Sequence, residues 1–250
     1  MIVVKANGFE LKSGHTIHIA CDTTEMEPVV KSALKMLVND FQAVLSSDVC
    51  IGKEGNIIIN KDTTLLDKRK EAFQLKVSDD QLYVTGSDAH GVAYGILEIS
   101  RLIGVSPWEW WADVMPLKRS SFSLANGYVN LQAPSVEFRG IFINDEDWGL
   151  MPWSSLHYEP WHKPGRIGPK TNARIFELML RLRANTYWPA MHECTQPFFL
   201  TQGNREVAEQ YGIYIGGSHC EPMASSTAGE WRKRGKGEYD YVNNSKNVYE

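Results

Sequence analysis

The sequence predicts an α/β fold in two parts, a small mixed α/β domain followed by the first βα units of a (β/α)8 TIM barrel. Three observations predict it. Strand and helix patterns alternate along the 250 residues, long polar loops follow the later strands, and all eight tryptophans lie after residue 107. The expected boundaries are 1–116 for the amino-terminal domain, 117–135 for a linker or edge segment, and 136–250 for an incomplete, truncated barrel.

Two helices and four short strands are predicted in the amino-terminal domain. The first helix follows Thr24 and Glu27, which match a capping box, and its apolar residues recur on one face. The second covers about 89–103 and ends at Gly104, a residue type suited to the position after a helix. The strands are expected at 15–20, 56–60, 74–77 and 81–86, the last two joined as a hairpin.

The later part of the chain repeats a βα pattern with unequal connections. A buried strand is expected at 137–143, followed by the polar cluster 144–147, about 25 irregular residues, and a helix capped by Thr171 or Asn172. Because the strand-to-helix connections are long and the helix-to-strand connections minimal, the elaborated loops are expected at the carboxyl ends of parallel strands. A nucleotide fold would need a glycine-rich turn where NDEDW stands. Later elements are expected at 186–188 (strand), 204–211 (helix) and 213–216 (strand).

Composition excludes several classes of partner. A net charge of -4 and a pI near 6.0 give no footprint for nucleic acid or an anionic membrane surface. No apolar run approaches the roughly 18 to 20 residues of a membrane span. The amino terminus lacks the apolar core of a signal peptide, and the four cysteines are too few for a disulfide scaffold. A secreted or periplasmic location is expected, with the leader absent from this chain, and the cytoplasm stays open.

Polar or aromatic side chains follow each of three predicted strands. These side chains are Asn144 and Asp145, then Trp188, His192 and Glu193, then Ser218, His219 and Glu221. Glycoside hydrolysis uses carboxylates as acid and base, with aromatic rings stacked on sugar faces. Structural roles stay open: Asp145 as a loop cap, His219 and Glu221 as hydrogen-bonded strand ends, and Trp188 as a core residue.

A metal site is the disfavoured alternative. The trios 192–194 (His-Glu-Cys) and 219–221 (His-Cys-Glu) contain ligand types, but neighbours on an extended chain point to opposite faces. Only alternate members of each trio could therefore share an ion. No CxxC or HExxH spacing is present, so no residue is assigned as a metal ligand. No GxSxG elbow supports acyl transfer.

Four segments, three of which contain tryptophan, carry a specific resemblance: 86–114, 138–150, 172–191 and 211–223. Together they resemble the amino-terminal portion of glycoside hydrolase family 115, the xylan α-1,2-glucuronidases. The resemblance covers about 80–231, and the first 80 residues fit that family in layout only. It implies release of 4-O-methylglucuronic or glucuronic acid from xylan, with inversion and without a cofactor. The expected partner is thus a glucuronic-acid-decorated saccharide.

The same resemblance implies roles for individual residues. Asp145 is expected to support catalysis, whereas the principal acid and base are expected beyond Glu250, so the fragment itself is expected to be inactive. Cys220 stands where many members have a second His. A non-catalytic carbohydrate-binding or scaffold fragment and a hexosaminidase-like hydrolase stay open as alternatives. The residues expected to bind substrate are Asn144, Trp188, His219 and Glu221.

Two further expectations follow from the chemistry. A uronate substrate carries a carboxylate that an arginine or lysine should meet, and Lys163, Arg166 and Lys170 of the long loop are the candidates. Apolar edges of an incomplete barrel would have to be covered by a partner copy or by domain swapping, so a homo-oligomer is among the expected states.

Overall fold

The computed structural model describes residues 8–144, 147–160, 165–219, 221–222, 225–227 and 229–249. The fold is mixed α/β, as the sequence predicts. The chain divides into two units. Unit 1 consists of Met1–Glu137 with Glu177–Arg183, and unit 2 consists of Phe138–Phe176 with Ala184–Glu250. Among the described residues, no helix is both long enough and apolar enough to cross a membrane.

Unit 1 contains eight described strands and three helices. The strands are β1 (Gly8–Lys12), β2 (Ile17–Ala20), β3 (Val49–Gly52), β4 (Ile57–Lys61), β5 (Phe73–Ser78), β6 (Gln81–Gly86), β7 (Ser121–Ala125) and β8 (Val129–Gln132). The helices are α1 (Pro28–Leu45), the short α2 (Leu65–Lys68) and α3 (Ala89–Ile103). One sheet has the order β3-β2-β4-β6-β5-β8, in which the first four strands are parallel and β5 is antiparallel to both neighbours. β1 and β7 form a separate antiparallel pair.

Helix α1 forms because one apolar stripe is buried along its length: Val30, Leu34, Leu37, Phe41 and Val44. Its start differs from the predicted capping box. Glu27 precedes the helix without a side-chain capping bond, and Pro28 takes a first-turn position. Thr24 instead donates its hydroxyl to Asp22. The capping-box prediction is therefore wrong, because proline, which lacks an N–H, already suits the first turn.

Helix α3 packs closely on the neighbouring strand β6. Asp88 caps it by accepting a hydrogen bond from Gly91 N at 2.8 Å, and Gly104 ends it at φ 102°, as predicted. A Cβ on Gly86 would lie 2.1 Å from Val92 N, so only glycine allows the end of β6 to approach the helix this closely.

Four strands of unit 1 were not predicted: β1, β3, β7 and β8. The last two lie within 117–135, the stretch predicted as a linker or edge segment. β7 pairs with β1, and β8 forms one edge of the six-stranded sheet. Val129 and Leu131 of β8 are exposed, which explains why the buried side of this strand is hard to identify from its residues.

Glu98 of α3 is a buried carboxylate that accepts hydrogen bonds from several positively charged and polar side chains of unit 1. Its oxygens accept hydrogen bonds from Arg101 Nε at 2.9 Å, from Arg183 Nη2 at 2.6 Å and from Asn130 Nδ2 at 2.8 Å. Burial raises the pKa of Glu98, but hydrogen bonding to Arg101 and the charges of Arg183 and Arg101 outweigh burial and lower it.

The lowered pKa of Glu98 predicts a pH dependence of stability. Since the pKa is lower in the folded state, the stabilisation is fully present above the unfolded value of about 4.3 and is lost as pH falls through the folded value. We expect the difference in unfolding free energy between the native sequence and Glu98→Gln to shrink below about pH 4. Urea unfolding at a series of pH values measures this difference. A difference in unfolding free energy that stays constant as the pH falls would contradict the expectation.

Unit 2 is built on a three-stranded parallel sheet of order β11-β10-β9. Its strands are β9 (Gly140–Phe142), β10 (Thr186–Trp188) and β11 (Tyr214–Ile215). The helices are α4 (Leu150–Trp153), a π-helical turn (Ser154–Tyr158), α5 (Pro169–Arg181), a 3₁₀ turn (Phe198–Leu200), α6 (Asn204–Tyr211), α7 (Glu230–Arg234) and α8 (Ser245–Tyr249). By residue number, the last turns of α5 belong to unit 1.

Several predictions for unit 2 need correction. The expected buried strand 137–143 is the three-residue β9, and its Ile141 and Phe142 are 39% and 38% exposed. Among the described strands, β9 pairs with β10 alone, so it is an edge strand. The stretch after residue 147 is helical from Leu150 to Tyr158 rather than irregular. Helix α5 begins at Pro169, so Thr171 and Asn172 are not its caps.

Candidate functional site

The carboxyl ends of β9, β10 and β11 form the candidate site. The register places Trp188 beside Phe142. Beyond that pair, Ile143 N donates to Trp188 O at 3.0 Å, and on the other side Gly216 N donates to Tyr187 O at 2.9 Å. Because the three strands are parallel, the chain leaves each of them at the same edge of the sheet. The edge predicted from the loop lengths is therefore present.

The opposite ends of β9 and β10 are held together by close backbone packing. Arg139 N donates to Asn185 Oδ1 at 3.0 Å, and Arg139 O accepts from the backbone N of both Asn185 and Thr186. A Cβ on Gly140 would lie 1.6 Å from Thr186 O. Only a residue without a side chain fits there, so Gly140 fixes how closely β9 approaches β10.

Trp188 is partly exposed at this edge, whereas its neighbour Tyr187 is fully buried. Trp188 is 41% exposed as a residue, and its ring meets that of Phe142 edge-on, with 5.9 Å between ring centroids. It borders a shallow cavity of about 310 Å³, lined by Phe138, Gly140, Ile141, Phe142, Thr186 and Trp188. The alternative that Trp188 is a core residue does not hold, because Tyr187 takes that place. A half-exposed indole can stack on the face of a sugar ring.

The other predicted substrate-binding residues differ in exposure. Asn144 is exposed just after β9, and His219 is exposed in the segment after β11. Glu221 is buried, and its backbone N donates to Ser218 O at 3.1 Å. Asp145 lies outside the described residues. The assignment of all these residues to substrate binding or catalysis stays a prediction.

The stretch between β9 and the first turn of α5 supplies aromatic and basic groups. Trp153 at the end of α4 and Tyr158 at the end of the π-helical turn stack on each other, with 5.0 Å between centroids and 11° between planes. Trp148 is 90% exposed. Of the candidate partners for a uronate carboxylate, Arg166 is half-buried and Lys170 exposed, and Lys163 lies outside the described residues.

Three exposed side chains meet across the loops that follow β9 and β10. His192 Nδ1 lies 3.1 Å from Asp147 Oδ1, and the Cys194 thiol donates to the same oxygen. The hydrogen bond from Cys194, and then the charge of His192, hold the pKa of Asp147 below its usual value. Sequence reasoning named His192 and Cys194 as alternate members of a ligand trio but did not single out Asp147.

Glu159 is a structural residue that sequence reasoning missed. Its carboxylate is fully buried and binds the first turn of α5. Oε1 accepts from Lys170 N at 2.9 Å, while Oε2 accepts from Thr171 N at 2.9 Å and Thr171 Oγ1 at 2.7 Å. A Cβ on Gly168 would lie 2.6 Å from both oxygens. A negative charge at a helix N-terminus is favourable, so Glu159 anchors the long loop to α5.

Comparison with known proteins identifies relatives of this chain. Residues 131–250 match the model of glycosyl hydrolase family 115. A solved family GH115 4-O-methyl-α-glucuronidase with specificity for decorated arabinogalactans is 60% identical over 96% of this chain, with a TM-score of 0.92. The chain spans 34% of that enzyme's length. No curated protein sequence matches the chain.

More distant similarity is confined to fold. A β-hexosaminidase from Streptomyces plicatus has a TM-score of 0.60 at 10% identity, over 90% of this chain and 45% of that one. A GH20 exo-β-N-acetylglucosaminidase from Vibrio harveyi has a TM-score of 0.54 at 15% identity, over 85% of this chain and 34% of that one. These identities are too low to carry a substrate across.

Proposed function

Because the chain belongs to glycosyl hydrolase family 115, we propose that it is the amino-terminal part of an inverting α-glucuronidase. The full protein would remove 4-O-methylglucuronic or glucuronic acid from a plant polysaccharide. The observation that carries the proposal is the 60% identity to a 4-O-methyl-α-glucuronidase over 96% of this chain. The half-exposed Trp188 at the edge of a parallel sheet supports it.

We also propose that β9, β10 and β11 open a (β/α)8 barrel. They are parallel, adjacent in chain order, and connected through α5 and α6, which is the repeat of that fold. The exposed aromatic side chains on or beside this sheet that have no proposed role in sugar binding, Phe138, Phe142 and Tyr214, would need covering by the remaining strands or by a second copy in a homo-oligomer. Sedimentation of the 250-residue chain distinguishes a monomer from a homo-oligomer.

The residues in this chain would bind and orient the sugar. An inverting enzyme holds two carboxyl groups about 6.5 to 9.5 Å apart with a water between them. The principal pair is proposed beyond Glu250, with Asp145 orienting water or binding hydroxyl groups. Trp188 would stack on a sugar face, and Asn144, His219 and Glu221 would bind hydroxyl groups. Arg166 or Lys170 would meet the uronate carboxylate.

Substrate release by the full-length parent protein tests this proposal. We expect glucuronic or 4-O-methylglucuronic acid to be released from glucuronate-decorated xylan, and decorated arabinogalactan is the essential second substrate because the similar enzyme acts on it. Release from arabinogalactan alone would contradict the expectation that xylan is a substrate. Release of N-acetylhexosamine would contradict the proposed α-glucuronidase reaction. Residues 1–250 alone should release nothing.

A secreted or periplasmic location fits a polymeric substrate, and cell fractionation checks it.

The role of Trp188 is tested by substitution in the full-length protein. We expect Trp188→Ala to lower kcat/KM by about 30-fold, since a buried aromatic contact contributes about 2 kcal/mol to binding. Trp188→Phe retains an aromatic face and is the matched control, for which a smaller loss is expected. If both substitutions have equally small effects on kcat/KM and leave the circular dichroism unchanged, Trp188 is not part of the binding site.

A further inference from the structure

The cluster of Asp147, His192 and Cys194 has the geometry of a ligand set. One donor atom from each side chain, the Asp147 Oδ, the imidazole nitrogen and the thiol sulfur, lies within 4.8 Å of the others. Ligand atoms around a tetrahedral Zn²⁺, at about 2.0 to 2.3 Å from the ion, are roughly 3.5 Å apart. The Asp147 oxygen and the His192 nitrogen, 3.1 Å apart, are already close to that spacing, so small side-chain rotations would let the three donors surround an ion.

Two neighbouring loops of unit 2 supply the three donors. His192 and Cys194 lie in a turn after β10 that is closed by a hydrogen bond from Thr195 N to His192 O at 3.0 Å, and both side chains contact the same Asp147 oxygen. Asp147 comes from the neighbouring loop after β9. The hydrogen bond from Ile143 N to Trp188 O holds the bases of the two loops together. An ion bound here would cross-link the two loops beside the candidate sugar site.

We propose that Asp147, His192 and Cys194 form a Zn²⁺-binding site with an open fourth position for water. Thiolate, imidazole and carboxylate together are donors that suit Zn²⁺, whereas Mg²⁺ and Ca²⁺ take oxygen ligands. All three side chains are exposed, so an ion has access from solvent. The thiol proton passes to the buffer when sulfur becomes a ligand. This proposal departs from the sequence expectation that no residue of this chain binds a metal, and it does not depend on the glucuronidase activity.

Metal titration of the chelator-treated 250-residue chain tests the site. Calorimetry with Zn²⁺ alone should give one ion per chain, and Co²⁺ should produce a thiolate-to-cobalt charge-transfer absorption. We expect Cys194→Ser to abolish that absorption and to weaken Zn²⁺ binding by more than about 10- to 100-fold, the loss seen when only an outer partner of a ligand is removed. Asp147→Asn should weaken binding while keeping the absorption.

The control is Cys50→Ser, which removes another exposed cysteine, located on β3 of unit 1. We expect its metal binding and its cobalt absorption to match those of the unaltered chain. Since the ligands are exposed, none of the substitutions should change the far-ultraviolet circular dichroism. Absence of stoichiometric Zn²⁺ binding, or binding that Cys194→Ser leaves unchanged, would overturn the proposal and leave the cluster as a hydrogen-bonded group only.

Discussion

Replacing Asp40 with alanine is expected to lower the free energy of unfolding by about 3 to 5 kcal/mol, the usual cost of leaving one member of a buried ion pair without its partner. Asp40 of α1 accepts two hydrogen bonds from Arg181, at 2.8 and 2.9 Å, and the two side chains are 7% and 8% exposed. Glu109 lies 3.9 Å from the same guanidinium and compensates only in part. Urea unfolding followed by circular dichroism measures the loss.

A surface ion pair provides the matched control for Asp40. Arg205 and Glu209 of α6 lie 2.9 Å apart but are 74% and 63% exposed. Glu209→Ala should cost about 0.5 kcal/mol or less, because exposed pairs are solvated and entropically costly. Replacing both Asp40 and Arg181 with apolar residues of similar size should recover much of the stability lost in Asp40→Ala. Equal losses for Asp40→Ala and Glu209→Ala would contradict the structural explanation.

The second large effect is expected at Glu159, where alanine should destabilise the protein by about 3 kcal/mol. The substitution leaves three donors in the first turn of α5, Lys170 N, Thr171 N and Thr171 Oγ1, without their acceptor. The hydrogen bonds that these donors make are buried or partly buried, so water replaces the carboxylate poorly. Thermal and urea unfolding measure the loss, which we expect to be accompanied by faster proteolysis of the segment 147–160.

Two further variants separate this role from a general effect of charge. Glu159→Gln keeps one carbonyl oxygen as an acceptor but turns its amide toward a donor, so about half of the alanine loss is expected. Glu206, an exposed carboxylate in the first turn of α6, is the control, and Glu206→Ala should cost about 0.3 to 1 kcal/mol. If Glu159→Ala costs no more than Glu206→Ala, the buried hydrogen bonds are not what stabilises α5.

The helices with complete apolar stripes were predictable because their pattern is local. The buried stripe of α1 and the Gly104 end of α3 can be identified from adjacent residues alone. β1 and β7 could not be identified this way, since Gly8–Lys12 pairs with Ser121–Ala125, more than a hundred residues away. The exposed face of β9 was also unpredictable, because a strand buried on both sides has the same apolar composition.

In the candidate site, only the side chains carried by a strand could be predicted from the sequence. The alternation of buried Tyr187 with exposed Trp188 follows from strand geometry. Contacts between loops do not follow from any local pattern, so neither the anchoring of α5 by Glu159 nor the meeting of Asp147 with Cys194 could be predicted. Both depend on how two loops, separated in sequence, fold against each other.

The absence of a side chain at Gly140 has a practical consequence for protein engineering. Any other amino acid there would force β9 away from Thr186 and shift the departure point of the chain that carries Asn144. Libraries that test the proposed sugar-binding positions 144 and 219 should therefore hold position 140 constant. A change of specificity in such a library can then be attributed to the new side chains and not to a displaced backbone.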